Sequence, residues 1–256
     1  MTSDANHIQS LRKTEEAISR NFISRYFQHQ SELIKEKASN NVRQFSELLF
    51  SRNTKQPLIS DDVIASNLTS PDFNKTLERA IEISALSDET QKMEVLADLI
   101  LVRLNSPNQS TQSFIIKTAV ELLGQISSHH LKLLTYIFRI HSIRRALFTR
   151  QITLNTENNL DNVLTTFESF LEFTFDENDF KYLESINCVK IDDYIELREF
   201  YIPKWITGSI YDLRGNQREH LLKLIDHWQE KSLKQVVLTV VGTQIATISS
   251  NYFPGS

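Results

Sequence analysis

The chain has 256 residues, 40% of them apolar, and a net charge of −4, a balance that excludes a disordered polyelectrolyte and supplies a core. Only five Gly and five Pro occur. So few exclude the glycine-rich phosphate loops, nucleophile elbows and dinucleotide fingerprints, which need backbone close to a ligand or at positive φ. The expected class is mainly α: a long N-terminal helix (1–56), a helical bundle (57–150) and a winged-helix-like C-terminal part with a minor two-stranded β element (151–256). The lone Cys188 forms no internal disulfide, and residues 1–13 lack the apolar run of a signal peptide, which together point to a reducing cytoplasm. The most apolar run, 236–248, contains Thr239, Thr243, Gln244 and Thr247 and is shorter than the roughly 20 residues a bilayer span requires.

In chain order, residues 8–50 carry Leu11, Ile18, Phe22 and Tyr26, then Ile34, Ala38, Val42, Phe45 and Leu49, without a Gly or Pro between them. That spacing predicts one long helix or two nearly continuous ones. The steps are mostly fours, so packing on the protein's own body or on a second copy is expected rather than an isolated zipper. Phe22, Tyr26 and Phe27 are the candidate partner-binding anchors there. Residues 51–62, with Asn53, Pro57, Ser60, Asp61 and Asp62, read as a linker.

Ser70-Pro71 then marks a helix start with Pro in the first position, followed by Phe73, Leu77 and Ile81. Asp88 with Gln91 suggests a capping box ahead of a helix through Leu104. Residues 105–112 break the pattern. Phe114, Thr118, Leu122 and Ile126 carry the next helix, and Ser127 or Ser128 caps one from Leu131 to Leu147. Short connections make these four an antiparallel bundle.

Two helices are predicted next, at 160–173 and 176–187, and residues 188–191 read as a short strand. A polar and aromatic insertion follows, then a helix at 216–230, a second β-like run at 235–238 and a last helix capped by Thr239. This order matches a winged helix-turn-helix. Its would-be recognition helix, 176–184, carries Asp176, Glu177, Asp179 and Glu184 against Lys181 alone. Phosphates would repel it, so the scaffold is expected to contact protein rather than DNA.

At Ser70-Pro71-Asp72-Phe73, Leu96-Ala97-Asp98-Leu99-Ile100, Ala119-Val120-Glu121-Leu122-Leu123 and Leu131-Lys132-Leu133-Leu134, the chain resembles a bacterial helical family similar to the abortive-infection alpha group. Leu183 to Cys188 and Leu238 to Gly242 extend the likeness. The resemblance implies an accessory protein, with an anti-phage defence setting, and it carries no catalytic residues.

Residues 122–156 contain Lys132, Arg139, Arg144, Arg145 and Arg150 and no acid, whereas 157–200 contain twelve acids against three bases. The basic block is either a nucleic-acid-binding patch or a set of partners for that acidic segment. Tyr194, Phe200, Tyr201 and Trp205 either close a core or form a partner-binding hot spot led by Trp205 and Tyr201. Adjacent His129 and His130 point about 100° apart on a helix and cannot share a metal as an i, i+4 pair does. His220 and His227 lack completing ligands. Cys188, between Ile186 and Val189, reads as a buried, inert thiol. The expected function is thus a non-enzymatic adaptor with no cofactor and no metal. It is expected to bind itself and a larger protein effector, with a nucleic-acid-binding sensor as the alternative.

Overall fold

Scarce helix breakers and apolar residues at three- and four-residue steps produce helix through most of the residues that this computed structural model describes, which are 2–53, 61–148, 170, 173–191 and 236–253. The chain divides into two units, residues 1–129 and 130–256.

The first unit opens with two helices, α1 (Thr2–Tyr26) and α2 (Glu32–Asn53). The turn between them contains no Gly or Pro. The Ser31 carbonyl accepts from the amides of Ile34 and Lys35, both at 3.1 Å, and Glu32 sits in the first turn of α2, where a carboxylate suits the helix dipole. The two helices run antiparallel. Ser46 of α2 donates to Glu15 of α1 at 2.7 Å, and the Arg12 guanidinium lies 4.8 Å from the Phe50 ring centroid. The expected long N-terminal helix over 1–56, or two nearly continuous ones, is thus corrected: the chain reverses at residues 27–31 and folds back as a helical hairpin.

A short α3 (Asp61–Leu68) follows, then α4 (Pro71–Ala85), α5 (Thr90–Leu104) and α6 (Thr111–Leu123). The start of α4 is as the sequence predicts, with extended Ser70 before Pro71, although the Ser70 side chain makes no cap bond. Helix α5 is the centre of this unit, packed against α2, α3, α4 and α6. It is buried nearly all round, which is what an apolar sequence without a polar face requires. Its expected capping box does not form: the N-cap is Glu89 without a side-chain cap bond. Asp88 instead accepts from Lys37 at 2.5 Å and from Asn41 at 3.2 Å, tying the α4–α5 connection to α2. Helix α6 forms where the sequence predicts one. Ile116, Ala119, Val120 and Leu123 face inward and Phe114 is 56% exposed.

Helix α7 (Ser128–Phe148) begins at the end of the first unit and lies mostly in the second. The second unit continues with α8 (Glu177–Ser185), β1 (Val189–Ile191), β2 (Val236–Leu238) and α9 (Val240–Ser249). The strands pair antiparallel, with Val189 opposite Leu238 and Ile191 opposite Val236. Asp176 and Asp179 close a capping box at the start of α8. Its end is a Schellman turn. Asn187, at φ 59°, occupies the left-handed position, and the Cys188 amide reaches back to the Leu183 carbonyl at 2.8 Å.

Thr239 caps α9 by accepting from the Gly242 amide at 3.0 Å, and its own amide donates to the Cys188 carbonyl at 3.1 Å. A β-carbon at Gly242 would collide with that carbonyl. Glycine is therefore required by the close approach of α9 to β1. The core of this unit is aromatic, with Tyr136 stacked 4.9 Å from Phe170, and Phe175 and Phe180 beside them. No helix among the described residues is long and apolar enough to cross a membrane.

Candidate interaction surface

The end of the α1–α2 hairpin concentrates aromatic side chains. Phe22 stacks on Tyr26 at 5.1 Å, and Phe27 meets Tyr26 edge-on at 5.2 Å. Their environments differ: Phe27 is 4% exposed and anchors the turn, whereas Tyr26 is 56% exposed. Across the turn Leu33 is 76% and Ile34 44% exposed. On the α4 side of Phe22 and Tyr26, a depression of about 370 Å³ is lined by Asn21, Phe22, Arg25, Tyr26, Glu78 and Glu82. Exposed aliphatic and aromatic area beside charged walls is the composition of a protein-contact patch. Sequence reading named the three aromatics. It counted Ile34 in the apolar stripe with Ala38 and Val42 and did not name Leu33, because a helix face left without a partner has the same periodicity as a packed one.

The second constellation is buried and polar. Arg103, fully enclosed near the end of α5, donates to Asn67 Oδ1 at 3.0 Å, Asp72 Oδ2 at 3.0 Å and Asn108 Oδ1 at 2.9 Å. Asn67 in turn donates to the carbonyls of Leu104 and Ser106, both at 2.8 Å, satisfying acceptors that the end of α5 leaves without a helical partner. Lys117 donates to the other oxygen of Asp72 at 2.8 Å. That ammonium holds the Asp72 carboxyl below the ordinary aspartate value, with Arg103 adding to the effect and partial burial opposing it. The network joins α3, α4, α5 and α6. It is a clasp.

Of the basic block, Lys132 and Arg139 have described side chains, and both contact groups of their own unit. Arg139 is 8% exposed, and its guanidinium donates to the carbonyls of Ser250 at 2.9 Å and Phe253 at 3.1 Å while lying over the Phe170 ring. The Lys132 ammonium sits 4.8 Å from the Phe173 centroid. His130 faces Asp179 at 3.7 Å and a ring nitrogen of His141 lies 2.9 Å from the Val236 carbonyl. Arg144 and Arg145 are carried on α7, with their side chains outside the described residues. Arg150, Tyr194, Phe200, Tyr201, Trp205, His220 and His227 also lie outside them, as do the helices predicted at 160–173, save Phe170 and Phe173, and at 216–230.

Two further groups bear on chemistry. Cys188 is fully buried, and burial pushes its thiol up to about 12, so it is almost entirely protonated at neutral pH. Lys92 on α5 is 9% exposed, and burial lowers its amine below the ordinary lysine value against the opposing pull of Glu89. Among the described residues no group of three His, Cys, Asp or Glu side chains is placed to hold a metal.

The residues that carry the likeness to the abortive-infection alpha group are chiefly packing residues: Phe73, Leu96, Leu99, Ala119, Leu131 and Leu134 are all fully buried. No curated protein and no solved structure matches the chain. A family model whose description reads only ":-like" matches residues 13–205, about three-quarters of the chain. That match takes in the α1–α2 hairpin from Lys13 onward, with its aromatic end, as well as the clasp around Arg103. The chain belongs to the family that this model defines.

Proposed function

We propose that the protein is a non-enzymatic helical adaptor that binds a larger protein effector through the end of the α1–α2 hairpin and associates with itself. The observation that carries this reading is the exposure of Tyr26, Leu33 and Ile34, which flank the turn of a hairpin where Phe27 is buried. Aromatic and aliphatic anchors of this kind supply most of the free energy at protein interfaces. The winged-helix-like reading of residues 151–256 belongs to the same proposal. The acidic start of α8, with Glu177 and Asp179, favours a protein-contact use over DNA contact. The bacterial defence setting is proposed on the likeness of the leucine runs alone.

The test compares proteins captured from native cell extract by the wild-type chain and by the double variant Tyr26→Asp, Leu33→Asp. Both positions are exposed, so the melting temperature should stay within a few degrees. Captured effector should fall by about tenfold or more, the scale of a lost hot spot. An identical captured set from both proteins would refute the docking role of the hairpin end.

A further inference from the structure

Lys92 has no part in the adaptor reading, and its surroundings are unusual for a lysine. It lies in the first turn of α5, two residues past Thr90, where the positive end of the helix dipole disfavours a cation. The helix around it is covered: Met93, Val95, Leu96 and Ala97 are buried, and Lys92 itself is 9% exposed. Lysines so placed are ordinarily paired. Lys92 makes no hydrogen bond or ion pair among the described residues. Glu89, one turn earlier, attracts it through space, but Oε2 of that carboxylate accepts from the Ser128 amide at 3.0 Å and the Ser128 hydroxyl at 3.1 Å. Glu89 is thereby engaged at the start of α7 rather than with the amine.

An amine in this position is better suited to act as a nucleophile than as a counter-charge. Folding strips water from the ammonium and supplies no partner for it, so the neutral form, which carries the reactive lone pair, is favoured relative to an exposed lysine. The remaining exposure is small. Such an opening admits a compact reagent and obstructs a bulky one.

We propose that Lys92 is a site of acylation at Nζ in the folded protein, with a small acyl phosphate as the donor. The neutral nitrogen attacks the carbonyl carbon and a C–N bond forms. The C–O bond to phosphate breaks with its electron pair, inorganic phosphate leaves, and the amine proton passes to water. The product is an uncharged amide, so acylation removes a charge that the fold buries without compensation. An exposed lysine gains nothing of that kind. The site is independent of the adaptor reading, and either can fail alone.

The test is acetylation of the native full chain with acetyl phosphate from about pH 6 to pH 10, followed at each lysine by peptide mass spectrometry. Exposed Lys13 and Lys75 serve as ordinary amines. The initial rate at Lys92 should level off at a lower pH than theirs and exceed theirs severalfold near neutrality. Treated wild type should also gain resistance to urea that identically treated Lys92→Met does not. Labelling of Lys92 only after denaturation overturns the proposal, as does a pH profile that matches Lys13 and Lys75, or an equal gain in the two treated proteins. Equal rates at Lys92 with a bulky acetyl thioester would overturn the choice of donor.

Discussion

Arg103 has no exposed surface, yet its guanidinium serves three side chains from three different segments. Truncating it strands the polar groups of Asn67, Asp72 and Asn108 around a cavity. Arg103→Ala should therefore lower unfolding free energy by about 3–5 kcal/mol, measured by urea denaturation; a loss below about 1 kcal/mol would show that the clasp is only a surface-like contact. Lys92 is the opposite case, a buried cation with no hydrogen bond among the described residues. Its lowered pKa means that the folded state holds the proton less tightly than the unfolded one. Stability then rises with pH from the lowered folded value up to the unfolded value of about 10.4. Lys92→Met should stabilise the protein at neutral pH, and the advantage should shrink as alkali discharges the amine. Equal stabilities at neutral pH would remove the argument.

At the level of elements, the joint between α9 and β1 depends on the absence of a side chain. Gly242→Ala places a methyl where the Cys188 carbonyl lies and should cost about 1–3 kcal/mol as the helix is pushed off the strand. An unchanged melting temperature would mean that the joint gives way freely. Elements governed by local signals were legible in the sequence: Pro71 at the start of α4, the Thr239 cap, and the two short apolar runs that pair as strands. Those decided by tertiary contact were not. Asp88 and Gln91 have capping-box spacing, but Lys37 and Asn41, about fifty positions earlier, take the carboxylate. On α6, bulky Phe114 is exposed while Ile116 and Ala119 are buried. The surface site was half legible for the same reason. Aromatics mark themselves, whereas Glu15 and Arg103 look like ordinary helix-surface charges until their distant partners are brought to them.

For the whole molecule, the division into residues 1–129 and 130–256 predicts that probes weighted toward different units report different transitions. The only tryptophans, Trp205 and Trp228, belong to residues 130–256, while most of the described helix lies in residues 1–129. Indole fluorescence and far-ultraviolet dichroism should give denaturation curves with different midpoints, and superimposable curves would show one cooperative unit. The lone cysteine adds a clock to this separation. Cys188 sits beneath the joint of α8, β1 and α9, fully covered and almost wholly protonated, so an alkylating reagent must wait for that joint to open. Where alkylation outpaces reclosure, its rate becomes the frequency of opening itself. The chain thus carries a native reporter of its own breathing, with no second thiol to blur the reading.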